Sequence, residues 1–295
     1  MKQQPVASAM AMAMAMAPPG FQPFHSARPD PAVVSAARKG DRQALEKALH
    51  RSRGAAAEQD QHGLTALHAV AESNNKELAE VLAWHFRHNG LDNTIRDNRG
   101  RTPLFLASEL GSKEVFYTLE WHTSDAGVNI PDHSGATPLM AASANGHCDI
   151  VWKLLDRHGI CVNDADRFGS TALMKACKGG HTKIALRLIR AGSAVDSEDQ
   201  YGVTPLHLAC EFCDLELVKA LHRSGANIQA RNVRGLGAVH VASTTVVKSY
   251  LEKELRRNGL YREQFVVPLA KQPLLGPHGL VLRAVDLWRG GPVVL

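Results

Sequence analysis

One pattern recurs through this chain, and its recurrence constrains the fold more than any other feature. Its fullest copy runs Asp199-Gln-Tyr-Gly202-Val-Thr204-Pro205-Leu-His207-Leu-Ala-Cys210. Each part has a local job. Gly202 supplies a positive φ in a tight turn at no steric cost. Thr204 stands where a hydroxyl satisfies the orphan N–H groups of a helix start. Pro205 follows at the first helical position, where a missing N–H costs nothing. Shorter or altered copies stand at Asp60–Gly63–Thr65, Asp97–Gly100–Thr102, Asp132–Gly135–Thr137 and Asp166–Gly169–Thr171, and a worn copy at Asn232–Gly235–Gly237.

The turn glycines at 63, 100, 135, 169, 202 and 235 are separated by 37, 35, 34, 33 and 33 residues. A period near 33 that carries turn, cap and helix signals together, with Thr-Pro-Leu-His in its fullest copy, resembles the ankyrin repeat family over residues 31–258. The resemblance implies an all-α repeat solenoid: an array of helix-turn-helix units with projecting β-hairpin fingers. The expected organisation is a leader over residues 1–30, an N-terminal cap over 31–59, five full repeats over 60–231, a C-terminal cap repeat over 232–258 and a tail over 259–295.

The rest of each repeat follows one plan. The first helix runs from the Thr-x-Leu segment to a breaker, at Asn74, Gly111, Gly146 and Gly180 in turn. The second helix carries the larger aliphatic stripe, such as Ile150, Val151, Leu154 and Leu155, at the spacing of one buried face. The first two repeats are longer, and the surplus falls after the second helices, around His88–Asn93 and His122–Gly127, where loops accept insertions. At the N-terminus, Gly40-Asp41 separates two short apolar helices, and Arg38, Lys39, Arg42 and Lys47 give the terminal unit its polar coat. At the other end Gly237 replaces the capping Thr, Val246-Val247 replaces the Gly-His break, and the helix continues through Tyr250 and Leu255.

The ends differ from the array. Residues 1–30 contain an Ala/Met run and Pro18-Pro19-Gly20, with no acidic residue before Asp30, and this composition predicts disorder. A secretory signal or a mitochondrial presequence fits poorly, because charge is limited to Lys2 and Arg28 before Asp30. In composition the leader also resembles those of bacterial effectors exported into host cells. Residues 260–295 hold apolar patches broken by Pro273, Gly276, Pro277 and Gly279, expected either to fold back on the array or to serve as a linear motif. The chain has no apolar run of about 18 residues, so no membrane span is expected.

Five cysteines at no disulfide-like spacing favour a reducing compartment. The expected location is cytoplasmic, with the nucleus or a host cell as alternatives. Cys177 and Cys210 share a repeat position that elsewhere holds Ala71, Ser108, Ser143 and Ser243, so the slot wants a small side chain. Cys210-x-x-Cys213 is then a weak metal or redox signal. The resemblance assigns His68, His207 and His240 to supporting the turn by hydrogen bonds, and His147 and His181 fit capping of the second helices. No phosphate loop, HExxH or Gly-x-Ser-x-Gly pattern occurs. No catalytic residue, metal site or cofactor is expected.

Binding remains. The resemblance implies that partner proteins are held by finger tips and the exposed side of the first helices. Tip and flanking positions offer Arg99, Arg101, Arg167, Phe168 and Tyr201; the first helices offer Lys175 and Lys178, with Phe212 at the end of one. Aromatics and arginines are the commonest binding hot spots. The sharpest expectation is a patch over the third to fifth repeats, centred on Phe168, Tyr201 and Phe212; the alternative is that these rings pack on neighbouring fingers. The expected protein is a monomeric adaptor or scaffold. A second reading is nucleic-acid or anionic-surface binding through the basic ends, where residues 231–295 hold 10 basic and 4 acidic side chains, net +6. That reading is disfavoured because Arg256-Arg257 is the only adjacent basic pair there.

Overall fold

The computed structural model describes residues 31–51, 54–125, 127–212 and 215–259. The leader, the tail beyond Gly259 and Cys213 lie outside the described residues, as do the expectations placed on them. Helices pair along the chain: α1 (Ala32–Lys39) with α2 (Arg42–Arg51), α3 (Ala66–Ser73) with α4 (Lys76–His88), and α5 (Pro103–Leu110) with α6 (Lys113–His122). Then come α7 (Pro138–Asn145) with α8 (Cys148–Leu155), α9 (Ala172–Lys178) with α10 (Thr182–Arg190), α11 (Pro205–Glu211) with α12 (Leu215–Arg223), and α13 (Ala238–Val241) with α14 (Thr245–Arg257). First helices contact first helices of the adjoining units and second helices contact second helices, giving a two-layered stack.

The core follows from the repeat. Leu67, Leu104, Leu139, Leu173 and Leu206 occupy the same place in successive first helices, and all are buried. The second helices bury Leu78 and Leu82, Val115 and Leu119, Ile150 and Leu154, Ile184 and Leu188, then Leu217 and Leu221. Ala71, Ser108, Ser143, Cys177 and Cys210 are buried where the first helices meet, consistent with a slot that admits only small side chains. Val247 and Leu251 of α14 are buried over the last full repeat.

The caps hold as the residue types require. The hydroxyls of Thr102, Thr137 and Thr171 accept the N–H three residues on, from Phe105, Met140 and Met174. The turn aspartate does more than start the motif. In every full finger its Oδ1 accepts two main-chain N–H groups, as when Asp199 takes those of Tyr201 and Val203 at 2.9 Å each. Fingers are also stitched to one another. The N–H groups of Asn98, His133, Arg167, Gln200 and Val233 donate to the carbonyls of His62, Arg99, Ser134, Phe168 and Tyr201 respectively. The fingers close as hydrogen-bonded turns: Ala165–Thr171 and Arg231–Gly237 form isolated bridges, and no sheet occurs among the described residues.

Three local expectations change. The surplus length of the first full repeat goes partly into the helix itself: α4 has 13 residues, against 8 in α8 and 9 in α10. His147 and His181 do not cap their own helices; their Nε2 atoms reach back to the carbonyls of Glu109 and Ala144 in the preceding repeat, at 3.1 Å each. In the C-terminal unit the helix does not run through. It breaks after Val241, and the Thr244 hydroxyl restarts it by accepting the Val247 N–H at 3.4 Å.

Candidate partner-binding groove

Three successive fingers and one first helix enclose a groove of about 620 Å³. Phe168 and Tyr201 come from two of the fingers, Val233 and Arg234 from the third, and Lys175 and Lys178 from α9. The two aromatic rings are half-exposed, at 53% for Phe168 and 55% for Tyr201, and neither stacks on another ring among the described residues. About half of each side chain is left in water.

The main chain beneath those rings is fully committed. The Phe168 N–H donates to Asp166 Oδ1 at 2.9 Å, and its carbonyl accepts from Gln200 at 2.9 Å. The Tyr201 N–H donates to Asp199 Oδ1, and its carbonyl accepts from Val233, again at 2.9 Å. Such anchoring leaves only side-chain rotamers to be ordered when a ligand arrives, which lowers the entropic cost of binding.

The remaining residues expected at the site divide. Arg167 is exposed beside Phe168 on the same finger. Lys175 borders the groove but its Nζ lies 2.7 Å from Asp166 Oδ2, so part of its charge is already used. Lys178 is exposed. Phe212 is 46% exposed at the end of α11 and does not line the groove. Arg99 is exposed on a finger two repeats away. Arg101 departs from the expectation of a contact residue: its guanidinium bonds Asp97 at 2.8 Å and Glu109 at 2.7 Å, and its side chain is 14% exposed. It staples finger to helix instead of facing outward.

Sequence reasoning missed Val233, which is 71% exposed and sits one residue after the turn asparagine, in the place of Arg167 and Gln200. An apolar residue at an otherwise polar finger position was the available signal. It also missed Trp84 and Trp121, both strongly exposed at matching positions of α4 and α6. Trp84 stacks on His88 with ring centroids 4.0 Å apart.

The histidines expected to be structural are engaged in main-chain bonds. His68 Nδ1 accepts the Thr65 N–H at 3.1 Å, and His207 Nδ1 accepts that of Thr204 at 3.2 Å. His240 Nδ1 does the same for Gly237 at 3.2 Å. Burial pushes the His68 and His207 imidazoles below their ordinary pKa, so both are neutral bridges. Among the described residues no group of three His, Cys, Asp or Glu side chains is placed to hold a metal ion, and no helix is long and apolar enough to cross a membrane.

Comparison with known proteins places this geometry. The family model described as ankyrin repeats (3 copies) matches residues 33–125, 89–166 and 160–232. The structure of the ankyrin repeat domain of Bcl-3 is similar at 22% identity and a TM-score of 0.65, covering 76% of this chain and 98% of that one. That of the human ASB11 ankyrin repeat domain is similar at 24% identity and a TM-score of 0.61, covering 74% and 95%. No curated protein matches the sequence. With period, turn, cap and stacked helix pairs all present, and matches running from residue 33 to 232, the chain belongs to the ankyrin repeat family, whose repeats serve protein–protein interaction.

Proposed function

We propose that this protein is a non-enzymatic adaptor that holds a partner protein in the groove formed by its fourth and fifth full repeats and the C-terminal cap repeat. The carrying observation is the pair Phe168 and Tyr201: two large rings, each about half in water, on a main chain whose N–H and C=O groups are already bonded. A folded chain gains nothing by exposing aromatics on rigid supports, whereas an interface draws most of its energy from such anchors. Val233 and Arg234 extend the same surface onto the next finger. Arg99 belongs to a neighbouring stretch of the same row of tips, and Arg101 is assigned to the scaffold.

The test compares wild type with the double variant Phe168→Ala, Tyr201→Ala in affinity capture from cell lysate, with and without nuclease. A protein retained by wild type and lost by the double variant, while both melt at the same temperature, is the expected result. Retention of every captured protein by the double variant overturns the assignment of this face.

A further inference from the structure

The groove has a charge as well as a shape. Its apolar carbon comes from Phe168, Tyr201 and Val233, and its rim carries Lys175, Lys178 and Arg234. Two nearby carboxylates are held in place by the fingers, with their charge intact. Asp199 accepts two finger N–H groups through one oxygen. Asp166 does likewise and also binds Lys175 at 2.7 Å. Glu211, the acidic group facing Lys178, is half-buried, and burial raises its pKa against the pull of Lys178. Arg234, and Arg167 beside Phe168, have no carboxylate partner among the described residues. Four cations, Arg167, Lys175, Lys178 and Arg234, therefore stand against three carboxylates, Asp166, Asp199 and Glu211, and Arg167 and Arg234 supply positive charge that no ion pair among the described residues takes up beside the exposed apolar surface.

We propose that the groove takes an extended acidic segment of a partner protein, with apolar side chains seated against Phe168, Tyr201 and Val233 and carboxylates at Lys178, Arg234 and Arg167. The proposal rests on the reading of this face as the binding face and adds the chemistry of what it binds. Charge separates this occupant from the others. The chain's own ends share the sign of the groove: residues 1–30 carry Lys2 and Arg28 against Asp30, net +1, and residues 260–295 carry four basic and two acidic side chains, net +2. A nucleic acid is disfavoured because the surrounding array is anionic. Residues 61–230 hold 16 basic and 20 acidic side chains, net −4, so a long polyanion leaving the groove meets a surface of its own sign. A short acidic segment gains the local complementarity without that cost.

The experiment selects a random-sequence peptide library on the purified full chain and measures the recovered peptides in solution. Wild type is expected to recover peptides of net negative charge that carry a large apolar residue, with affinity that weakens as salt is raised. The variant Lys178→Glu, Arg234→Glu is expected to lose these peptides by about tenfold or more while melting like wild type, and to recover basic sequences in their place. Neutral or basic peptides from wild type, no peptide at all, or a single-stranded oligothymidine bound more tightly than the peptides would each overturn the proposal. Peptides lost with Phe168→Ala, Tyr201→Ala but indifferent to charge reversal leave the face standing and remove the acidic partner. Peptides indifferent to both variants remove both.

Discussion

His68 and Arg101 lie in different repeats, and the Nε2 of the first donates to the carbonyl of the second across 3.0 Å. The direction is fixed by the other ring nitrogen. Nδ1 accepts the Thr65 N–H, so the proton of the neutral imidazole resides on Nε2. His207 repeats the bridge to the Leu236 carbonyl at 3.1 Å. One ring thus closes the cap of its own helix and holds the next finger.

A neutral bridge has a pH dependence. Burial holds both imidazoles below the ordinary value of 6.5, so the unfolded chain takes up protons first as pH falls. The stability from this pair is fully present above about 6.5 and is lost as pH drops from there toward the depressed folded values. Urea melts about one unit above and one unit below 6.5 are expected to show a lower midpoint on the acid side. His68→Ala is expected to cost about 2 kcal/mol, since it strands the Arg101 carbonyl and the Thr65 N–H. A midpoint that does not move between the two pH values contradicts the neutral bridge.

Gly111 ends α5 with φ +74°, and a Cβ there would lie 2.4 Å from the His147 ring. Gly192 has φ +87° and open space around it. Alanine at Gly192 pays only for the left-handed backbone, about 1–2 kcal/mol. Alanine at Gly111 pays that and must also displace the ring from its bond to the Glu109 carbonyl, for about 1–3 kcal/mol more. Thermal melts of the two variants should rank Gly111→Ala below Gly192→Ala. In a double-mutant cycle with His147→Ala, the excess penalty at Gly111 should disappear.

Arg99 and Arg101 flank the same glycine and look alike in the sequence, yet they are expected to behave differently. Arg101→Ala breaks two charge-assisted contacts, to Asp97 and Glu109, and leaves a nearly buried aspartate short of a partner. A loss of about 2 kcal/mol in urea unfolding is expected. Arg99→Ala, on an exposed finger, should lie within about 0.5 kcal/mol of wild type. Equal stabilities for the two variants would mean that the Arg101 staple contributes nothing.

The Ser143 hydroxyl is buried and has no hydrogen-bond partner among the described residues, whereas Ser108 in the same slot donates to the Leu104 carbonyl at 2.8 Å. Ser143→Ala removes a desolvated polar group at almost constant volume and is expected to raise stability by about 1 kcal/mol. Ser108→Ala gives up a bond and should not. Calorimetric midpoints of the two single variants decide the matter.

Much of the array was legible because its signals are local. Thr102 followed by Pro103 and preceded by Gly100 specifies turn, cap and helix within a few residues of main chain, whatever lies beyond them. The aliphatic spacing in α8 and α10 names the buried face in the same way. The candidate site was less legible. Phe168 and Tyr201 could be named as tip residues from their place before Gly169 and Gly202, but their exposure depends on what the adjacent finger presents. Arg101 was misplaced for the same reason. Asp97 and Glu109 stand four and eight residues away, a spacing visible in the sequence, but the pairing forms only once finger and helix have turned toward each other.

The sequence by itself determined the repeat, its helix boundaries to within a few residues, its core-facing positions and its family, because each is written in local signals and in a pattern repeated six times. The tertiary structure decided everything that passes between periods. It sent His68 to Arg101 and His147 to Glu109, and stitched each finger to the next. It brought Val233 beside Phe168 and Tyr201 while enclosing Arg101. Those outcomes depend on the stacking distance and rotation between neighbouring units, which no single copy of the motif encodes.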